Sequence, residues 1–528
     1  MLRIDQLRLH PGQQETLLRA RCAKLLRVAP ADITACTVLR KAIDAREDLT
    51  LVYTVSVSVK NEAQVLRRCR DKRVSVYKQE VYFLPPTVTA PAVRPIVVGA
   101  GPAGLFAALV LARCGARPIL LERGRPVEHR QADVERFWSG GPLDPDSNVQ
   151  FGEGGAGAFS DGKLNTGTKD LRHRFILETL VRCGAPDTIL TDAKPHVGTD
   201  KLHIALQALR QELEAAGADI RFNARLEHIR IQDGAVSAVT VCQNGQTCDL
   251  PARHVVLALG HSARDTFEML YQAGLAMEPK PFAMGVRIEH RQSAIDAAQY
   301  RSLAGHPALP PSTYKLSCHL PNGRSAFSFC VCPGGQVVAA ASETRRVVTN
   351  GMSEYARDRE NINGALLVNV TPADFPDSHP LAGIRLQRQL EDAAFALGGG
   401  DYRAPCQRVE DFLAGRPSAG PGNVAPSYLP GVTYTDLHRC LPPFISETLA
   451  LALPELGRRL KGYDDSDALL TGVETRSSSR VRLVRDEHYE ANIRGVYPCG
   501  EGAGYAGGIL SAAADGMRCA EKLLEVYR

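Results

Sequence analysis

The chain has 528 residues, 44% hydrophobic and 23% charged, with a net charge of +5, a balance that suits a globular protein rather than a disordered or fibrous one. The opening Met1-Leu2-Arg3-Ile4-Asp5 carries no long apolar leader, and no run approaches the roughly 18 apolar residues of a membrane span, so a cytoplasmic location is expected. The 14 cysteines stand at irregular spacing with no CxxC, which argues against a zinc site, an iron–sulfur cluster or a secreted disulfide framework; no metal is expected.

In residues 1–84, Leu2 to Leu9 alternates like a strand and Gln13 to Arg27 has helical spacing. Ile33 to Asp44 and Leu49 to Val59 read as strands, Glu62 to Arg70 as a short helix, and Val74 to Phe83 as a further strand. The order βαββαβ predicts a ferredoxin-like domain without a cluster. Residues 1–94 hold 17 Lys+Arg against 9 Asp+Glu, so this end is basic while the rest of the chain is slightly acidic. Arg67, Arg68, Arg70, Lys72 and Arg73 cluster, which opens a nucleic-acid reading. The aromatic pairs that stack bases on sheets of this topology are not evident, so a docking or solvated face is preferred. Residues 85–94, with Pro85, Pro86 and Pro91, form a stiff linker.

Pro95-Ile96-Val97-Val98-Gly99-Ala100-Gly101-Pro102-Ala103-Gly104 reads as a buried strand, a tight glycine turn and the start of an apolar helix running through Leu105 to Cys114. Gly99 allows the sharp turn, Gly101 leaves room for a pyrophosphate on the backbone, and Gly104 lets helix and strand pack closely. A second strand, Arg117 to Leu121, ends in Glu122, placed to accept hydrogen bonds from both ribose hydroxyls, with Arg123 beside it. These features predict a dinucleotide site that also includes Pro102 and Ala103.

A turn-rich region follows, then the glycine-rich stretch Asn148 to Leu164. Gly152, Gly154 and Gly157 match GxGxxG formally, as do Gly502, Gly504 and Gly507, but neither set follows a buried strand with an acid about 20 residues on. The first loop is better read as backbone closing over a flat ring or phosphate at Gly155, with Ser160 and Lys163 supplying hydrogen bonds. Thr199 to Ala216 is a helix, and strands surround Asp233-Gly234. Ala252 to Ser262 runs as a buried strand ending at Gly260.

Here the chain resembles the two-dinucleotide-fold flavoproteins, in which FAD lies along the first βαβ unit; Ala258-Leu259-Gly260 stands where they usually have Ala-Thr-Gly. Residues 270–470 depart from that patterning and read as an inserted mixed α/β cap, with a strand pair around Pro333-Gly334-Gly335. Residues 471–528 return to the cofactor through Gly500-Glu501 and Gly508-Ile509. Glu501 is suited to a ribityl hydroxyl, and the helix N-terminus at Gly508 to the N1 and C2 carbonyl edge of the isoalloxazine. A Gly-Glu pair has this task in flavoproteins of the fumarate reductase type.

With the basic N-terminal unit, Phe282 to His290, Phe329 to Gly335 and Gly472 to Arg482, nearly the whole chain is similar to a family of bacterial FAD-dependent dehydrogenases, which more often carry Thr at 477 and Pro at 480. The resemblance implies an α/β fold: a Rossmann-type FAD-binding domain in two parts (95–269 and 471–528), an inserted cap at 270–470 and the N-terminal domain. A bound flavin makes the leading reading an oxidoreductase acting on a small organic substrate, which the family does not supply, with NAD(P)H a candidate electron donor although no separate nicotinamide-binding unit is visible. An FAD-binding protein with a structural or sensory flavin, docking nucleic acid or a protein through its N-terminal domain, is the alternative.

Candidates for proton transfer are Glu153, Lys163, His261 and Cys499, against plainer roles as loop acceptor, phosphate ligand, structural histidine and small buried residue. Cys330 and Cys332 lie in an alternating stretch and would face one side of a strand, as core residues or as a redox pair. Arg287, Arg476 and Arg482 either receive an acidic substrate or are salt-bridged structural residues.

Overall fold

The computed structural model describes residues 1–46, 48–165 and 167–528. The first unit contains β1 (Leu2–Leu9), α1 (Leu17–Leu26), β2 (Ile33–Asp44), β3 (Thr50–Val59), α2 (Glu62–Arg68) and β4 (Val74–Val76). Its antiparallel sheet has the order β2-β3-β1-β4, and Leu2, Ile4, Val55 and Val57 face Leu18, Cys22 and Leu26 of α1 in a core of their own. The strand expected to continue to Phe83 stops at Val76. Beyond it the chain turns to the body, where the Tyr82 hydroxyl lies 2.6 Å from Glu521 and its ring meets Phe175 edge-on. The edge strand β2 also reaches the body: Lys41 N–H donates to Thr191 O and Ala193 N–H to Lys41 O, both at 2.8 Å.

The second unit is built on β5 (Ile96–Val98), α3 (Pro102–Arg113), β6 (Ile119–Leu121), α4 (Val127–Trp138), α5 (Leu171–Arg182), α6 (Thr199–Ala215) and β7 (Asp219–Arg221). A three-stranded antiparallel meander follows, β8 (Ala224–Gln232), β9 (Ala235–Gln243) and β10 (Gln246–Pro251), then β11 (Val255–Leu257) and α7 (Arg264–Gln272). The region after Glu122, expected as turns, contains α4, whose buried face includes Val127, Val134 and Phe137.

The third unit contains β12 (Met277–Pro279), β13 (Phe282–Arg291), α8 (Gln292–Tyr300), β14 (Ser317–His319), β15 (Ser325–Ala339), β16 (Thr349–Met352) and β17 (Asn361–Val370). It continues with α9 (Ala382–Gly398), β18 (Ala404–Arg408), α10 (Val409–Leu413), β19 (Val432–Tyr434), α11 (Pro443–Arg459) and β20 (Leu469–Glu474). Its sheet has the order β14-β15-β17-β13-β20-β18-β19, antiparallel except for β18 with β19. Central β13 and β17 are buried along almost their whole length, and they carry Arg287, Glu289 and Asn363 among their buried residues. The strand pair expected around Pro333-Gly334-Gly335 is instead one long strand, β15, which absorbs those residues as register shifts against β17. β20 crosses the boundary drawn at residue 470 and belongs to this sheet along its whole length.

The chain then returns through β21 (Val481–Leu483), paired with β12, to β22 (Val496–Pro498) and α12 (Ile509–Val526). The parallel sheet so completed has the order β22-β11-β5-β6-β7. Counted by position within this sheet the order is 5-4-1-2-3, the doubly wound arrangement, whose direction reverses between β5 and β11. Among the described residues no helix is long and apolar enough to cross a membrane.

Helices α3 and α12 cross closely at Gly516, where an added Cβ would overlap the Ala103 carbonyl and lie 2.7 Å from its carbon. Gly516→Ala is therefore expected to cost about 1–3 kcal/mol through overpacking against backbone that cannot yield. A lower thermal midpoint by scanning fluorimetry, together with weaker retention of whatever lies over Ala103, is the measurement that checks it.

Candidate functional site

Open parallel sheets bind ligands beyond the carboxyl ends of their strands, at the point of reversal. A cavity of about 520 Å³ lies there, and its wall includes the residues that follow each nearby strand: Gly99 after β5, Glu122 after β6, Ala258 after β11 and Cys499 after β22. The three glycines of the turn have different tasks. A Cβ on Gly99, which also has φ +102°, would overlap Ala258 O, and one on Gly104 would overlap Gly99 O. A Cβ on Gly101 would meet only Gly155 Cα, at 3.9 Å. Gly99 and Gly104 are thus demanded by the fold, whereas Gly101 keeps open space at the N-terminus of α3, as a pyrophosphate requires. Pro102, Ala103, Gly155 and Gly260 line the same cavity; Gly104 lies behind it.

Glu122 is buried at the cavity wall, and its carboxylate accepts three backbone N–H bonds, from Ala100 at 2.7 Å, Gly124 at 2.9 Å and Gly152 at 3.0 Å. It therefore braces the turn and the second glycine loop against each other while lining the cavity. Arg123 stands beside it, 4.3 Å over the Phe151 ring and bonded to Asp265 at 2.9 Å.

The second glycine loop is held by a residue that sequence reasoning missed. Arg130, on α4 and fully buried, donates to Asn148 O at 2.8 Å, Val149 O at 3.0 Å and Glu153 O at 2.6 Å. Burial lowers its pKa to about 10. Glu153 belongs to this brace: it accepts from Val127 N–H at 2.8 Å and Arg210 at 3.2 Å, at the N-terminus of α4, and does not line the cavity. Its burial, against the pull of that N–H and Arg210, raises the carboxyl to about 7. The sole sequence signal was the pairing of glycines with an arginine about 20 residues earlier, which carries no periodicity.

Farther along the loop, Ser160 and Lys163 line the cavity. Ser160 Oγ donates to Gly157 O at 2.7 Å and accepts from Gly162 N–H at 3.0 Å, so it shapes the loop. Lys163 is paired with buried Asp161 at 2.9 Å; burial works against its charge, but Asp161 outweighs it and keeps the ammonium protonated. Asp161 also accepts from Ser353 at 2.7 Å and Arg357 at 2.6 Å, binding the loop to the third unit.

The opposite wall comes from the C-terminal segment. Glu501, Gly508, Ile509 and Cys499 line the cavity, and the 18-residue α12 points its positive end into it. Burial raises Glu501 to about 7, against Gly508 N–H and Lys280. Gly500 lies just behind, its N–H donating to Asp515 at 2.8 Å. Neighbouring Cys519 and burial push the Cys499 thiol well up. His261 lines the cavity, and its buried Nδ1 has no hydrogen-bond partner among the described residues. Burial, then Arg480, Arg476 and Arg264, hold the ring neutral.

Of the three arginines considered for an acidic substrate, Arg476 lines the cavity but is paired with Glu391 at 3.1 Å. Arg287 is buried behind Glu474, and Arg482 lies against Tyr505 instead.

The family described as "FAD-dependent protein, C-terminal domain-like" matches residues 281–477, an FAD binding domain family matches residues 92–134, and a domain of unknown function matches residues 1–60. A protein of Clostridium beijerinckii, called only "Uncharacterized protein", is 45% identical over 531 residues, covering 100% of this chain and 99% of its own. Among solved structures, a flavin-dependent brominase is 12% identical over 82% of this chain and 79% of its own, with a TM-score of 0.38. E. coli quinol fumarate reductase is 15% identical over 84% and 71%, also with a TM-score of 0.38. The glycine turn with its open cradle, the doubly wound sheet and the matched FAD families agree, and the chain belongs to the family of FAD-dependent proteins that it shares with the Clostridium beijerinckii relative.

Proposed function

We propose that this FAD-binding protein is an oxidoreductase that moves hydride or electrons between the flavin and a small organic substrate admitted beneath the unit at residues 270–470. The observation that carries this reading is the shape of the cavity: it continues past the dinucleotide cradle to Phe329, Cys330, Asn350 and Glu474, so its far end is walled by another unit. A bound flavin supplies two-electron chemistry there. The chain supplies proton handling and charge: burial, opposed by Arg287, raises Glu474 to about 7, so this carboxyl and Glu501 can each hold or release a proton near neutrality, while Lys163 stays cationic. His261, held neutral, is suited to accept or donate one hydrogen bond.

The basic N-terminal unit fits a docking role, and NADH or NADPH fits the open cavity as donor. The test follows flavin absorbance anaerobically while NADH, NADPH and then a soluble quinone are added. The expected result is a flavin that bleaches with a donor and recovers its colour with the acceptor. A flavin that stays unreduced by either nucleotide, and once reduced by dithionite stays reduced with the quinone, would mark it as structural.

A further inference from the structure

Two neighbouring cysteines on β15 are arranged unlike strand residues. At i and i+2 on a regular strand, side chains share a face but stand about 6–7 Å apart. Here the register against β17 shifts between Phe329 and Cys332, and Cys330 has φ +42°, a left-handed conformation rare outside glycine. The contracted backbone brings the two residues together, and the Cys332 thiol donates to Cys330 O at 3.3 Å. Cys330 lines the flavin cavity and is partly exposed, while Cys332 sits fully buried behind it.

Their surroundings are cationic. Lys163 Nζ lies 3.9 Å from Cys332 Sγ, and Arg287 reaches the same sulfur at 3.8 Å while donating to Cys330 O at 2.9 Å. Arg287 is shared with Glu474, 3.4 Å away, which also lines the cavity. Lys163 and Arg287 favour the thiolate form in this pair, against burial. A thiol on the cavity wall, backed by a buried one beside two cations, is the placement of an attacking and a resolving cysteine. The pair Cys499 and Cys519 lacks it, since both are fully buried.

We propose that Cys330 and Cys332 form a redox-active dithiol that exchanges two electrons with the flavin and reacts, through the cavity, with small disulfide substrates. In the exchange two S–H bonds break and one S–S bond forms; two electrons and one proton pass to the oxidised flavin, and the second proton leaves by way of the Glu474 carboxylate. Towards a substrate disulfide, the Cys330 thiolate attacks one sulfur and expels a thiolate. Cys332 then attacks the mixed disulfide, releases the second thiol and closes the Cys330–Cys332 bond, which electrons from a hydride donor of the nicotinamide class, carried by the flavin, reopen.

This rests on the oxidoreductase reading, and the experiment separates the two. The full-length flavoprotein, its flavin content measured first, is oxidised with one equivalent of hydroxyethyl disulfide and titrated anaerobically with dithionite. Wild type is expected to take up about four electrons per flavin, and Cys330→Ser and Cys332→Ser about two. Alkylation and mass spectrometry should find the peptide carrying both cysteines unlabelled when oxidised and doubly labelled when reduced. Cys330→Ser, at a partly exposed position, keeps the test decisive if the buried Cys332→Ser fails to fold. Uptake of about two electrons by wild type, with both thiols still open to alkylation after the disulfide, would overturn the dithiol while a flavin that cycles with quinone upholds the oxidoreductase.

Discussion

Gly101→Val is expected to give a folded protein that no longer retains FAD. Gly101 has φ −78° and ψ −179°, extended backbone that valine adopts readily and that suits a residue before proline. Its Cβ would find open space, with Gly155 Cα at 3.9 Å as the nearest atom. Nothing in the protein itself therefore requires glycine there, and the valine methyl groups would enter the cavity at the N-terminus of α3, the place this reading gives the pyrophosphate. Overpacking of about 1–3 kcal/mol against a ligand corresponds to roughly five- to 150-fold weaker binding. Flavin absorbance per chain should fall from near one equivalent to less than about a tenth after gel filtration, with an unchanged far-ultraviolet dichroism spectrum. Gly104→Ala provides the contrast, because its Cβ would overlap Gly99 O within the turn: that variant should lose the fold together with the flavin. Full flavin content in Gly101→Val would remove the pyrophosphate from this turn.

The glycine turn was legible in the sequence because its signals are local: an apolar strand, glycines at fixed spacing and a helix follow one another within 20 residues. The N-terminal strands were legible for the same reason, since half-buried strands alternate, as the burial along Leu2–Leu9 does. What escaped was long-range. The 125–138 stretch looks polar because α4 buries Arg130 and Asp133 along with its apolar residues, and the carbonyls that satisfy Arg130 come from a loop about 20 residues later. β15 looked like a hairpin because Pro333-Gly334-Gly335 is turn chemistry, yet here Gly334 and Gly335 admit the close approach of Arg357 and Met352 backbone. Glu153 and Arg476 were candidates by residue type alone, and which of them faces the cavity depended on partners at positions 127, 210 and 391.

Position 391 carries the other large expected effect. Glu391 of α9 is fully buried and accepts from Arg264 at 2.6 and 2.8 Å, from Arg476 at 3.1 and 3.2 Å and from Thr475 Oγ1 at 2.6 Å. Arg480, also fully buried, has no hydrogen-bond partner for any guanidinium nitrogen among the described residues. Burial first, then the charges of Arg264 and Arg476, weaken its hold on a proton. Two cations thus bond one buried carboxylate, a third, Arg480, feels its charge without bonding it, and Glu343 supports Arg264 and Arg476 at the edge. Glu391→Ala leaves them uncompensated and should cost about 3–5 kcal/mol; Glu391→Gln, which keeps the shape but removes the charge, should cost nearly as much. Burial alone would raise the Glu391 carboxyl, but Arg264 and Arg476 outweigh it and hold it far below the ordinary carboxylate range. Such a group stabilises the fold above its unfolded pKa of about 4.3, and that contribution is lost as pH falls towards the folded value. The gap in denaturation midpoint between wild type and Glu391→Gln should therefore be widest near pH 7 and narrow below about pH 4. The network joins α7 of the parallel-sheet unit to α9 and the end of β20, with Arg476 exposed to the cavity, so the same variant should loosen the wall over the flavin and speed its loss on dilution. A gap independent of pH would mean that shape, rather than charge, is what Glu391 contributes.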